Sequence, residues 1–279
     1  MQLLRATGRG DHVAPRRRLD AELVRRRLAR SREHAATLVA EGRVQIAGMP
    51  ATKAATMVDP AAAVIVSEPP HEEYASRGGY KLAGALDVFA PDGLEVAGRR
   101  CLDAGASTGG FTDVLLRRSA AAVVAVDVGY GQLAWPLRSD ERVEVLERTN
   151  VRDLTLERVG MPVELVVADL SFISLCLVLA PLREVATAEA DFLLMVKPQF
   201  EVGKERVGKG GVVREPTLRA EAVLSVAEAA AELGLGVGGV IASPLPGPSG
   251  NVEYFLWLQR EAPELDVATV ERAVEEGPT

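Results

Sequence analysis

Four ionisable side chains stand where apolar runs give out: Asp103 after Cys101-Leu102, Asp127 after Ala122 to Val126, Asp169 after Glu164 to Ala168, and Lys197 after Phe192 to Val196. Short buried-type runs read as strands, and open α/β sheets gather their ligands at the carboxyl ends of strands. Four such residues at four strand ends are hard to explain as packing. After the first acid comes Gly105-Ala106-Ser107-Thr108-Gly109-Gly110, and then Phe111 to Leu116 has the apolar spacing of a helix. A strand, a glycine turn and a helix start in this order form a nucleotide-type cofactor site, because only glycine lets backbone approach a ligand so closely. A dinucleotide loop reads G-x-G-x-x-G and seats a pyrophosphate. This loop reads Asp103-x-Gly105-x-x-x-Gly109-Gly110. An acid beside it suits the ammonium, sulfonium and ribose diol of S-adenosylmethionine better than a pyrophosphate. Asp127 follows the loop by about 20 residues, where a ribose-binding carboxylate is expected. The spacing therefore favours a methyltransferase over an NAD-dependent enzyme.

The elements that must position these residues alternate. Beyond the Leu94–Leu102 run and the Ala122–Val126 strand, strands are expected at 143–146, 164–168, 192–196, 237–242 and 253–258. A long helix is expected over 216–233, with proline in its first turn. A short terminal helix is expected over 267–276. Strands alternating with helices predict an α/β domain, a parallel sheet covered on both faces. Lys81 falls near the start of a helix opened by Ser76-Arg77-Gly78-Gly79-Tyr80, where a cation opposes the helix dipole. Glycines and basic residues from Val202 to Gly211 predict a mobile loop over the site.

The net charge of −7 conceals an asymmetry. Residues 1–60 carry twelve Lys and Arg against six Asp and Glu, so the remainder is strongly acidic. A basic head on an acidic body points to a polyanionic partner. Residues 1–15 read as a flexible lead-in. Leu19, Leu23, Val24 and Leu28 fall at helical spacing, and Ser31 can cap a second helix that Gly42 stops. Arg43 to Ile46 and Ala63 to Val66 form a hairpin around Gly48. Arg18, Arg30, Arg32 and Lys53 are among the exposed basic residues of this head. Pro69-Pro70 marks a boundary, giving a head at 16–68, a linker at 69–76 and a large domain at 77–279.

Forty-eight per cent hydrophobic residues, with no apolar run near the roughly 20 residues a membrane span needs and no signal-peptide pattern, predict a cytoplasmic protein. Cys101 and Cys176 read as buried thiols. His12, His34 and His71 are too scattered to form a metal site.

The run Leu19-Asp20-x-x-Leu23 … Leu28-Ala29-x-Ser31-Arg32 … Gly42-x-Val44-x-Ile46-x-Gly48 resembles the alpha-L RNA-binding motif. The resemblance implies a grip on structured RNA through its backbone, as A-form RNA is read by shape, phosphates and 2′-hydroxyls. Over residues 16–260 the chain resembles the TlyA (hemolysin A-like) family within the FtsJ-like group of 2′-O-methyltransferases. The motifs that carry this are Ser76-Arg77-Gly78 with Lys81-Leu82, Leu102 to Phe111, Asp127 to Leu133, Ala168 to Ile173, Val196 to Lys204 and Pro246 to Phe255. The resemblance implies a Rossmann-like class I methyltransferase with a mostly parallel seven-stranded sheet, behind a small α+β RNA-binding domain. It implies a catalytic set of Lys81, Asp169, Lys197 and Glu253. It implies S-adenosylmethionine held by Asp103, Gly105, Ser107, Gly109, Asp127 and Asp169, with Phe172 and Ser249 lining the pocket. Arg77, Arg148, Arg152 and Lys204 are then the RNA-holding residues of the large domain.

The implied reaction methylates cytidine ribose in ribosomal RNA of one or both subunits, and with it sets sensitivity to capreomycin-type antibiotics. Ribosomal RNA and ribosomal subunits are the implied partners, with no metal, membrane or obligate protein partner. Lys197 is the candidate for the group that faces the hydroxyl, either as base or as a guide for the alkoxide. One departure is the stretch Glu72-Glu73-Tyr74-Ala75, where mycobacterial-type members of the family often carry Arg-x-Trp-Val. A membrane-lytic hemolysin and a non-catalytic ribosome-assembly factor are the competing readings; filled catalytic positions argue against the second, and the lack of a spanning segment against the first.

Overall fold

The computed structural model describes residues 16–40, 42–67, 74–247, 249–262 and 265–277. The chain divides into two compact units, Met1–Glu73 and Tyr74–Thr279. The expected lead-in at 1–15 and most of the expected linker lie outside the described residues. Tyr74, Ala75 and Ser76, expected in that linker, belong to the second unit.

In the first unit, β1 (Arg17–Arg18) leads into α1 (Leu19–Arg25), and α2 (Arg32–Ala40) follows. Leu19, Leu23, Ala35, Leu38 and Val39 face one another at helical spacing and make its core with Val44 and Val58. The first helix is shorter than expected. The chain turns at Arg27 (φ +61°), so Leu28 is exposed. Ser31 Oγ accepts the His34 N–H at 3.1 Å, the expected cap. Beyond Gly42, β2 (Val44–Ile46) pairs antiparallel with both β3 (Met49–Pro50) and β5 (Val64–Val66). A second small ladder, β1 with β4 (Met57–Val58), was not visible in the pattern because each strand has two residues.

The second unit is built on a seven-stranded sheet. Its strands are β6 (Arg100–Ala104), β7 (Ala122–Val126), β8 (Val143–Leu146), β9 (Val163–Ala168), β10 (Ala186–Val196), β11 (Gly236–Ala242) and β12 (Tyr254–Gln259). They lie in the order β11-β12-β10-β9-β6-β7-β8. Four of the six pairings are parallel, as expected; β12 alone runs against both its neighbours. The Leu94–Leu102 run is mostly not strand, because Gly98 (φ +74°) turns the chain before Arg100.

Period-two alternation divides the sheet's side chains between two cores. On one face α3 (Gly78–Phe89) and α4 (Gly110–Arg117) cover Cys101, Val123, Leu165, Leu193 and Phe255. On the other, Leu102, Val124, Val166, Phe192 and Tyr254 meet Leu182 of α7 (Leu179–Glu184), Val223 and Val226 of α9 (Pro216–Ala231) and Val270 of α10 (Val267–Glu275). Short helices α5 (Trp135–Arg138), α6 (Leu156–Val159) and α8 (Pro198–Glu201) fill the connections. Cys101 is buried as expected, whereas Cys176 is only half-buried.

Candidate active site

Register brings the ionisable residues to one rim. Ala104 pairs with Val126 and Ala168, and Leu194 pairs with Ala168. Asp127, Asp169 and Lys197 therefore leave β7, β9 and β10 side by side. Glu253 joins them because β12 is antiparallel: Tyr254 sits opposite Val196, which puts the start of that strand beside the end of β10. Lys81 arrives from the first turns of α3.

The result is two ion pairs in one recess. Lys81 Nζ lies 2.5 Å from Glu253 Oε2, with the side chains 7% and 1% exposed. Lys197 Nζ lies 2.6 Å from Asp169 Oδ1, at 9% and 24% exposed, and donates to Ser171 Oγ at 3.0 Å. All four residues line a cavity of about 300 Å³ together with Ser76, Arg77, Gly105, Ser107 and Ser171. Charges withdrawn this far from water need their partners, because an unpaired buried ion costs several kcal/mol.

A larger recess of about 1350 Å³ adjoins it and shares Gly105, Ser107, Asp169 and Ser171 with it. The floor at Gly105 requires glycine: φ is +90°, and a Cβ there would lie 2.7 Å from the Asp169 carbonyl oxygen. Gly109 (φ +99°) holds the turn but does not line this recess; a Cβ on it would meet Leu137 at 2.3 Å. Asp127 lines the large recess and accepts the Ser107 N–H at 2.8 Å and the Gly129 N–H at 2.6 Å. Phe172 also lines it, 91% exposed and at φ +64°, its ring 5.3 Å from that of Phe200. Arg152, Lys204, Gly208 and Gly211 complete its wall. The glycine-rich loop is anchored there, since Asn251 accepts the Val213 N–H and donates to the Gly211 carbonyl.

Two expected cofactor residues stand elsewhere. Asp103 is fully buried beneath the loop, inside β6 rather than after it, and accepts the Thr112 hydroxyl at 2.7 Å. Burial pushes its carboxyl up to about 7; Thr112 pulls the other way, and the Asp169 charge adds to the rise. Ser249 is exposed in the turn before Asn251 and lines neither recess. Among the RNA expectations, Arg77 is exposed at the edge of the smaller recess. Arg148 lies over the Tyr130 ring at 4.3 Å. Tyr74, at the divergent stretch, packs edge-on against Tyr80 with ring centroids 5.0 Å apart; Glu72 and Glu73 lie outside the described residues.

In the first unit, Arg18, Arg30, Arg32 and Lys53 are all exposed as expected, and Arg18 and Arg32 share one buried acid. Asp20 Oδ2 meets their guanidinium groups at 2.8 and 3.0 Å. Glu22, fully buried, pairs with Arg25 at 2.6 Å and Arg26 at 2.8 Å. Arg25, followed by burial and then Arg26, leaves the Glu22 carboxyl lowered to about 2, burial opposing. Sequence reasoning missed these acids, as it missed Ser171 and Thr112. Their signal was present as a short polar residue two places after Asp169 and as acids interleaved with the arginines.

Comparison with known proteins places the chain in a family. Residues 74–260 match the FtsJ-like methyltransferase model and residues 17–64 the S4 domain model. The chain is 60% identical over 271 residues, covering 95% of it and all of the relative, to the 16S/23S rRNA (cytidine-2′-O)-methyltransferase TlyA of Mycobacterium tuberculosis. It is 35% identical to the Hemolysin A of Brachyspira hyodysenteriae, over 85% of this chain and 98% of that one. A solved structure from Streptococcus thermophilus, described as a hemolysin, superposes with a TM-score of 0.73 at 36% identity, covering 94% and 95% of the two chains. With two ion pairs at the rim of a seven-stranded sheet and an S4 head before it, the chain belongs to the TlyA family of FtsJ-like methyltransferases.

Proposed function

We propose that this protein transfers a methyl group from S-adenosylmethionine to the 2′-hydroxyl of cytidine in ribosomal RNA. The observation that carries the reading is the convergence of Lys81, Asp169, Lys197 and Glu253 in one recess that opens beside a second, glycine-floored one. The cofactor fits the larger recess on the chemistry of its lining: a glycine that admits no Cβ, two carboxylates and a largely apolar wall. Gly105, Asp127 and Asp169 would hold it, with Ser107 and Phe172 beside them. Bound there, S-adenosylmethionine supplies an electrophilic methyl on a good leaving group.

The protein's share of the reaction is then positioning and proton transfer. Lys197 lines the smaller recess, and its ammonium is oriented by Asp169 and Ser171 of the wall that the two recesses share. It steers the ribose hydroxyl into line and, once it has released a proton to solvent, takes the hydroxyl proton as the oxygen attacks the methyl. Lys81 adds a second positive charge near the developing alkoxide, and Glu253 keeps that ammonium in place. Arg18, Arg30, Arg32 and Lys53 of the S4 domain bind the RNA backbone, Arg through its forked donors. Arg77, Arg148, Arg152 and Lys204 hold RNA at the larger unit. Among the described residues no helix is long and apolar enough to cross a membrane.

Mapping ribose methyls on ribosomal RNA from cells with and without this protein tests the reading. Loss of methylation at one or more cytidines is expected on its removal. An unchanged map would overturn it.

A further inference from the structure

Lys197 depends on a loop that belongs to another strand. Both partners of its ammonium, Asp169 and Ser171, lie in the turn that follows β9. That turn has a backbone cost. Phe172 sits at φ +64°, a region that a bulky residue occupies only when its surroundings compel it. Its ring is also 91% exposed, so burial of the side chain does not hold the turn in place.

Leu170 and Ile173 pack against the core, and a carboxylate from α8 ties the loop down. Glu201 Oε2 accepts the Ser174 hydroxyl at 2.5 Å, and Oε1 accepts the Leu175 N–H at 2.9 Å. Ser174 Oγ in turn accepts the Cys176 N–H at 3.2 Å. The helix that carries Glu201 begins immediately after Lys197, and the Phe200 N–H bonds back to the Lys197 carbonyl at 2.9 Å. Lys197 and the loop that holds its partners are thus tied a second time, from the far side of the same short helix. Hydrogen bonds to an ionised acceptor are the stronger kind.

We propose that Glu201 is a positioning residue for the methyl transfer: its carboxylate clamps the Asp169–Ser174 loop to the helix that Lys197 opens, and so fixes both partners of the Lys197 ammonium. Burial raises the Glu201 carboxyl above its ordinary range while Ser174 and Leu175 pull it back, as expected of an acid kept for its two donors. The inference rests on the function proposed above and deepens it. Glutamine can take over the role, because its oxygen accepts from Leu175 and its amide donates to the Ser174 hydroxyl. Alanine cannot.

Single-turnover methyl transfer to ribosomal RNA, at saturating S-adenosylmethionine and across pH, tests this in the full-length protein. Glu201→Ala is expected to slow transfer about 30-fold, the scale of a small misplacement of reacting groups. It also shifts the pH–rate profile, because the surroundings of the Lys197 ammonium change. Glu201→Gln is expected to stay within about 3-fold of the parent with an unshifted profile. Ser174→Ala removes one of the two bonds from the other side without touching α8, and a loss of about 3-fold is expected. If Glu201→Ala fails to fold, the Ser174→Ala and Glu201→Gln pair decides: a Ser174→Ala variant as active as the parent, or a Glu201→Gln loss beyond about 10-fold, overturns the proposal. An active parent with an equally active Glu201→Ala variant overturns the positioning role alone. Equal losses in the alanine and glutamine variants, with the pH profile unmoved, do so as well. A parent that transfers no methyl overturns the proposed function and this role together.

Discussion

The two units use buried acids to hold cations, and they do so to opposite ends. In the S4 unit, Asp20 and Glu22 are buried while Arg18, Arg25 and Arg32 keep about half their side chains in solvent. The acids there brace guanidinium groups that face outward. In the methyltransferase unit both members of the Lys81–Glu253 pair are withdrawn, and Lys197 is nearly so. In the proposed function, charge on the head serves binding and charge in the recess serves chemistry, where low polarity magnifies it.

That contrast is open to attack from both sides. The largest effect is expected at the recess. Lys197→Ala should cut methyl transfer on the order of 1000-fold while S-adenosylhomocysteine binding, measured by calorimetry, changes by less than about 3-fold. Lys81→Met is next, at about 100-fold in rate, with a lowered melting temperature because Glu253 is left buried without its ammonium. In the head, Arg18→Ala with Arg32→Ala should raise the KM for ribosomal RNA about 10-fold and leave kcat unchanged. The slope of log affinity against log salt should fall by roughly 1.4 to 1.8, two phosphate contacts' worth. A kcat loss there, or a pure KM effect at Lys197, would erase the distinction between the units.

The smallest effect concerns acid stability, and its sign differs between two carboxyls. Glu22 is lowered to about 2, so its stabilising contribution is present above its unfolded value and is lost as pH falls towards 2. Asp103 is raised to about 7, so it favours the folded state at low pH and loses that advantage as pH rises towards 7. Thermal melts of Asp103→Asn should therefore show a gain over the parent at pH 8 that vanishes near pH 4. Glu22→Gln should show a deficit at pH 7 that shrinks as pH falls below 4.

Much of this was legible in the residues alone. Acids and a lysine after apolar runs marked the rim, since a side chain at a strand end is placed by the strand. The helix over Pro216–Ala231 and that over Val267–Glu275 follow their apolar periods. Three features were not legible. Asp103 falls one residue inside β6, and that single step turns it from the rim into the core beneath the loop. Ser249 sits in a turn whose direction no periodicity encodes. Arg18 and Arg32 read only as exposed; that Arg32 reaches across from α2 to share Asp20 with Arg18 depends on how α2 packs against α1. Family resemblance supplied Lys81 and Glu253, which no local pattern distinguishes from an ordinary helix lysine and an ordinary strand-edge acid.

The central claim is that the two withdrawn pairs act on a ribose hydroxyl. Incubating the purified protein with ribosomal subunits and methyl-labelled S-adenosylmethionine, followed by nucleoside analysis of the RNA, tests it most directly. The account predicts label on the ribose of cytidine as its 2′-O-methyl derivative. Label on a base nitrogen or carbon, with none on ribose, would contradict it.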